Sequence, residues 1–433
     1  MVTSLNWRNG IRVNSCRLRV LFQHFMAEQK LSLEELENNA RQLPRALPPG
    51  IWALGLSAMF MDMSSELVHS LLPMFMASVL GASMLTIGFL EGVAEATAAI
   101  TKIFSGALSD YLGKRKFLVV LGYGLAAVTK PVFPLAPSIA WVFGARFIDR
   151  IGKGIRGAPR DALVADITPP ELRGAAYGLR QSLDSVGAFL GPLLAIAFMA
   201  LWSNDIKAVL WVAVLPAFIS VGLVFSIREP VAQKNPPQND SPIALSSAAR
   251  LDANYWVVVV FGAVFTLARF SEAFLVLRAQ SVGLSIGLVP MIMMVMNLVY
   301  AASAYPAGIA SDHLSQRIML VTGLAMLALA DLLLAFAAVP WQVFAGAGLW
   351  GLHMGFTQGL FNKLVANAAP TELRATAFGI FNLTSGISLL VASIIAGLLW
   401  QMIGPQATFL AGAAFAALAA IGVLTYRANP AVA

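Results

Sequence analysis

The chain predicts an all-α integral membrane protein: twelve transmembrane helices arranged as two pseudo-symmetric six-helix bundles. Three observations carry that expectation. Of 433 residues, 58% are hydrophobic and 12% charged, with a mean hydropathy of +0.75; a soluble protein of this size carries about 25% charged residues. The apolar stretches run for about 20 residues or more, the length a helix needs to cross the hydrocarbon core. A barrel would show short segments of alternating polarity instead. The chain also repeats itself. Gly106, Asp110, Leu112 and Arg115 recur as Gly308, Asp312, Leu314 and Arg317 at an offset of 202, and Pro169-Pro170-Glu171-Leu172-Arg173 recurs as Pro370-Thr371-Glu372-Leu373-Arg374 at 201. Two anchors whose offsets agree to within one residue indicate a duplicated membrane unit.

In order, the expected spans are 51–79, 84–108, 117–136, 139–164, 174–202, 208–227, 254–279, 286–310, 318–338, 341–367, 374–401 and 407–426. Residues 1–50 form an extension with no secretory signal, because no apolar run with a small-residue cleavage site follows its basic start. Residues 51–227 form the first bundle, 228–253 a polar linker, 254–427 the second bundle and 428–433 a tail. The net charge of +7 is laid out for membrane orientation, not for nucleic acid. Lys114, Arg115, Lys116, Arg173, Arg228, Lys234, Arg250, Arg317, Arg374 and Arg427 fall on one side, against Lys207 and Arg278 on the other. Basic loops stay inside, so both termini are expected in the cytoplasm of an inner-membrane protein. The single cysteine, Cys16, excludes an intrachain disulfide.

An ionisable group within a span is expensive and marks function by default. Helix 4 carries Arg146, Asp149, Arg150, Lys153, Arg156, Arg160 and Asp161, which at about 100° per residue fall within an arc of roughly 140°. That face must turn inward. Helix 1 offers Asp62, Glu66 and His69 on one face, helix 2 Glu91, Glu95 and Lys102, and helix 5 Arg180 and Asp184. The second half is poorer in charge: Arg269, Glu272 and Arg278 in helix 7, Asp331 in helix 9, with Asn297 and Tyr300 in helix 8 and His353 and Gln358 in helix 10. The expected substrate cavity is lined by Arg146, Asp149, Lys153, Arg269, Glu272, Asn297 and His353. Excess basic groups on helix 4 point to an anionic small-molecule substrate. His353 alone reads equally as a helix-packing histidine.

The plan of six plus six helices, with the loop Gly106-Ala107-Leu108-Ser109-Asp110-Tyr111-Leu112-Gly113-Lys114-Arg115-Lys116 between helices 2 and 3, resembles the major facilitator superfamily over residues 50–427. The resemblance implies a conformational latch made of Gly106, Asp110, Gly113, Lys114 and Arg115, with Asp312 in a weaker second copy that lacks the following glycine. Gly187-Ala188-Phe189-Leu190-Gly191-Pro192 in helix 5 is similar to that family's antiporter motif; its two glycines four apart permit close helix packing and Pro192 bends the helix. Arg150-Ile151-Gly152-Lys153-Gly154-Ile155-Arg156-Gly157 is similar to the helix-4 motif, and places Arg150 at the position linked with proton coupling. A guanidinium beside a carboxylate keeps it ionised, and withdrawing it lets the carboxylate take a proton. Asp62, Glu66, Glu91 and Glu95 are the candidate carriers.

The expectation is therefore a proton-coupled exporter working by alternating access, with protons, a small solute and the lipid bilayer as partners, no cofactor or metal, no nucleic acid and a monomeric state. No phosphate-binding GxxxxGK[ST] loop, nucleophile–base pair or HExxH spacing suggests an enzyme. Proton symport and a non-transporting receptor or scaffold with the same fold are the alternatives.

Overall fold

In the computed structural model, the residues described are 47–112, 114–169, 172–227, 251–370 and 373–425. They form helices joined by short turns, with no strand among them. We number the spans α1–α12. α1 is Pro49–Met74, prolonged by a π-helical turn at Phe75–Val79; α2 is Met84–Leu112; α3 is Arg115–Thr129 with a single turn at Val132–Leu135; α4 is Ile139–Ile167; α5 is Arg173–Leu201; α6 joins Ile206–Val212 to Val214–Phe225. α7 comes in two pieces, Ala253–Leu267 and Ala273–Ser281; α8 is Met291–His313, α9 Gln316–Ala335, α10 Pro340–Ala368, α11 Arg374–Met402 and α12 Pro405–Thr425. We call the end at which α2, α4 and α6 stop and α3, α5 and α7 begin the loop end.

Among the described residues, eight helices are long and apolar enough to cross a membrane: α2, α3, α5, α6, α8, α9, α11 and α12. The four that fall short are α1, α4, α7 and α10, one pair per half at matching places in the repeat. α7 falls short because it is broken into two short pieces, the first of them apolar, whereas α1, α4 and α10 are too polar along their length; the charged groups these helices carry belong at the centre of the bundle.

Small residues set how the rest pack. α5 lies on α1 through Gly187, against the Met59 backbone, and Gly191, where a Cβ would sit 2.6 Å from the Met63 carbonyl oxygen, 2.8 Å from Leu67 N and 2.9 Å from Glu66 Cβ. The packing read from these two glycines is what the structure has. The two halves meet mainly where α2 runs antiparallel to α11: Gly397 faces Met84 and Leu85, Gly92 faces Leu390, and Gly386 faces Ala96 and Ala99. Away from the loop end, one buried apolar core runs through both halves, including Leu71 and Met74 of α1, Met199 of α5, Phe274 of α7 and Ile292 of α8.

Two backbone breaks fall within the spans. Pro73 sits inside α1; having no N–H, it cannot donate to the carbonyl of His69 one turn earlier. A π turn follows directly, and such turns recur at functional sites. α7, expected as one helix over 254–279, stops at Leu267 and restarts at Ala273 with no proline or glycine between. The break is held by side chains: Ser393 Oγ of α11 accepts from Ser271 N at 3.1 Å, and Ser271 Oγ accepts from Ala273 N at 3.3 Å.

Candidate functional site

The charged face of α4 turns towards α1, α2 and α3. Arg146 Nη2 donates to Glu91 Oε2 at 2.8 Å, and Arg150 Nη1 lies 3.2 Å from Glu95 Oε1. Asp149 Oδ1 accepts from Lys130 Nζ of α3 at 2.9 Å, and Lys130 Nζ also donates to Ser65 Oγ of α1 at 3.1 Å. Arg150 Nε is 4.0 Å from Asp149 Oδ2. Three ion pairs thus tie α2, α3 and α4, and the Lys130–Ser65 hydrogen bond adds α1; in a buried setting each charge needs a partner because an unpaired ion is strongly disfavoured. Glycines allow the approach: Gly152 of α4 lies against Gly122 of α3, and Ser105 Oγ of α2 donates to the Gly154 carbonyl at 2.8 Å.

Nearer the loop end a second cluster joins α4 to α5. Arg180 Nη1 is 3.0 Å from Asp184 Oδ2 and 3.6 Å from Asp161 Oδ1, and Arg160 Nε is 3.5 Å from Asp161 Oδ1. Arg156 lies over the Tyr123 ring at 4.8 Å, a cation–π contact. The expected pairing of the α4 face with neighbouring acids is present.

Exposure divides the predicted cavity residues. Arg146 and Asp149, expected to line a substrate cavity, are buried and already spent on Glu91 and Lys130. His353 is also fully buried; its Nδ1 is 2.9 Å from the Gly323 carbonyl of α9 and its ring stacks on Phe265 at 5.2 Å. It packs the second half together, as isolated buried histidines usually do. Lys153 is exposed in mid-helix on the same inward face, and Asp62, Arg269, Glu272 and Asn297 are half-buried. The Glu66 and Glu95 side chains keep 23% and 32% of their surface accessible. Arg269 and Glu272 occupy the break in α7, and Glu272 is within electrostatic reach of His69, Glu66 and Glu95 across the two halves. Tyr300 of α8 donates to Gln358 Oε1 of α10 at 2.9 Å beside them.

Of the latch, Gly113 and the side chains of Asp110 and Asp312 lie outside the described residues. Gly106 lies against Ala158 of α4, and Lys114 is exposed. Arg115 Nη1 pairs with Asp166 Oδ2 at 2.7 Å, and Lys116 Nζ donates to the Phe225 carbonyl at 2.9 Å. These basic groups clasp the loop-end termini of α3, α4 and α6.

Sequence reasoning missed two features. Lys130, inside the expected span 117–136 and beside Pro131, was given no role; its partner Asp149 was the available signal. The α7 break lacks any helix breaker, and only the closely spaced Arg269 and Glu272 hint at it. Asp331, noted but given no role, is fully buried with neither carboxylate oxygen partnered, against Gly412 of α12.

The model of the Major Facilitator Superfamily matches residues 54–278 and 264–433. An uncharacterised MFS-type transporter of Methanocaldococcus jannaschii is 30% identical over 404 residues, 92% of this chain and 99% of that protein. The class C tetracycline resistance protein of Escherichia coli is 25% identical over 311 residues, 67% of this chain and 74% of that one. The crystal structure of the nucleoside transporter NupG superposes with a TM-score of 0.71 at 13% identity, covering 88% of this chain and 100% of that one; at that identity the likeness speaks for the fold alone.

Proposed function

The chain belongs to the Major Facilitator Superfamily, and on that footing we propose that it exports a small organic cation across the membrane in exchange for protons. The two halves, 51–227 and 254–427, rock about a site between α1, α2, α4 and α7. The basic residues at the loop end support a cytoplasmic location for that end and for both termini. The 106–116 loop with Asp110 and Asp312 latches the halves during the cycle.

The observation that carries the choice of cation is which charged side chains, paired or not, keep accessible surface. The helix-4 arginines that suggested an anion have side chains 2% and 5% exposed at Arg146 and Arg150, each held by a glutamate. The groups left with accessible surface are Asp62, Glu66, Glu95 and Glu272, against Lys153, Arg269 and, nearer the loop end, Lys102. An acidic surface among helices favours a cation by Coulomb attraction in a medium of reduced dielectric. Export is supported by the packing of Gly187 and Gly191 in the α5 motif and by similarity to a tetracycline resistance protein. Proton coupling is supported by the Arg150–Glu95 pair, whose carboxylate stays within reach of water.

The test is flux in proteoliposomes under a preset pH gradient, with tetraphenylphosphonium, tetracycline and citrate as probes. Proton-driven movement of tetraphenylphosphonium and none of citrate is the expected result. Citrate flux alone would return the reading to an anion held by Lys153, the exposed base on α4.

A further inference from the structure

His69 stands between two carboxylates of different exposure. Its Nδ1 is 3.8 Å from Glu66 Oε2 and its Nε2 is 3.9 Å from Glu91 Oε2. Side-chain exposure falls from 23% at Glu66 to 11% at His69 and 0% at Glu91. The remaining charges around the ring are Glu95 on α2, Arg146 and Arg150 on α4, and Glu272 on α7. Glu91 in turn holds Arg146, and its second oxygen, Oε1, is buried without a partner.

Each of the two nitrogen–oxygen contacts is attractive only with a hydrogen between the atoms. A neutral imidazole carries one such hydrogen and an imidazolium two. The ring can thus present a hydrogen to either carboxylate when neutral and to both when charged. Exchanging one state for another moves hydrogens between the more exposed Glu66 and the buried Glu91.

We propose that His69 is the proton relay between Glu66 and Glu91, an inference that rests on proton coupling as the function of this site. A proton on Glu66 passes to Nδ1 as the hydrogen on Nε2 passes to Glu91 Oε2. One O–H and one N–H bond break, one N–H and one O–H bond form, and the charge of the triad is unchanged. Loading Glu91 discharges the carboxylate that holds Arg146, which loosens α4 from α2. The ring is left in the opposite tautomer. Unloading runs the same two transfers backwards when Glu66 meets the other side, and restores it. Both contacts are longer than a hydrogen bond, so α1 must shift slightly for transfer. Pro73 deprives the His69 carbonyl of its helical donor and the π turn follows, which leaves α1 compliant at that point.

The experiment compares wild type with His69→Gln and His69→Asn in proteoliposomes, using tetraphenylphosphonium. Two fluxes are read: accumulation driven by a pH gradient, and counterflow exchange, which needs no net proton movement. The relay predicts that both His69 variants exchange substrate as the wild type does but lose accumulation. Accumulation retained in the His69 variants overturns the relay and leaves coupling standing, whereas wild-type exchange without any accumulation overturns coupling and the relay together. Loss of exchange in the variants assigns His69 a structural role and overturns the relay. A readout free of substrate is nitrogen NMR of the purified protein, with the His69 signal identified by its loss in His69→Gln. It should show both ring nitrogens engaged and respond to Glu66→Gln; a neutral ring unaffected by that substitution between about pH 5 and 8 sinks the proposal.

Discussion

Arg150 is the residue on which coupling and folding can be separated. Its guanidinium serves Glu95 at 3.2 Å and reaches Asp149 at 4.0 Å, but Asp149 also has Lys130 at 2.9 Å. Replacing Arg150 by Ala therefore strands only Glu95, which keeps access to water and can solvate its charge or take a proton. We expect Arg150→Ala to remain folded and to exchange substrate while losing proton-driven accumulation. Arg150→Lys should recover part of it, since the charge returns but the planar fork does not. Transport measured across pH decides this: a profile unchanged from wild type in Arg150→Ala removes Arg150 from coupling. Glu91 offers the contrast. It is fully buried, so removal of Arg146 leaves an uncompensated interior charge, a loss of about 3–5 kcal/mol that shows as unfolding before it shows as altered transport.

Most helices were legible because lipid imposes a length and a composition, and among the described residues eight of the twelve meet both. The inward face of α4 was legible too, since its charges recur at helical spacing. What the pattern hid were features made by a partner distant in sequence. The α7 break depends on Ser393 of α11, and burial of Arg146, Asp149 and His353 depends on neighbours no local window contains. A count of charges thus pointed to an anion where pairing leaves accessible acids. At this scale the α1–α5 contact gives a direct test. Gly191 faces the Met63 carbonyl, Leu67 N and Glu66 Cβ at 2.6–2.9 Å from any added Cβ, and the obstacles are mostly backbone. Gly191→Val must push α5 away from α1 at the level of Glu66, at about 1–3 kcal/mol for overpacking. Gly178, on the same helix with nothing within 4 Å of a Cβ, is the control. The melting temperature of the purified protein should fall for Gly191→Val and hold for Gly178→Ala; equal behaviour would show that α5 does not rest on α1 through this glycine.

The duplication relates the halves as whole bodies, and their chemistry has diverged at one level of the bundle. At the offset of 201, Lys130 corresponds to Asp331 and Asp149 to Trp350. In the first half these positions make a buried ion pair. In the second, Gly346 lies against Leu334 and Gly323 against Thr357, a register that sets Asp331 level with Trp350, yet the carboxylate oxygens and the indole Nε1 are all buried without partners. One copy therefore ties its α3 and α4 by charge, and the other relies on apolar contact around Phe270, Trp350 and Phe409. Opposite consequences follow for matching positions. Lys130→Met breaks a pair and abandons Asp149 in the interior, so stability should drop by about 3–5 kcal/mol. Asp331→Leu removes a polar group that has no partner to lose and adds apolar surface in its place, so stability should hold or rise. Thermal unfolding of the two variants side by side measures the difference. A drop for Asp331→Leu as large as that for Lys130→Met would mean that Asp331 has a partner during folding or transport, and that the second half carries a charged strut of its own.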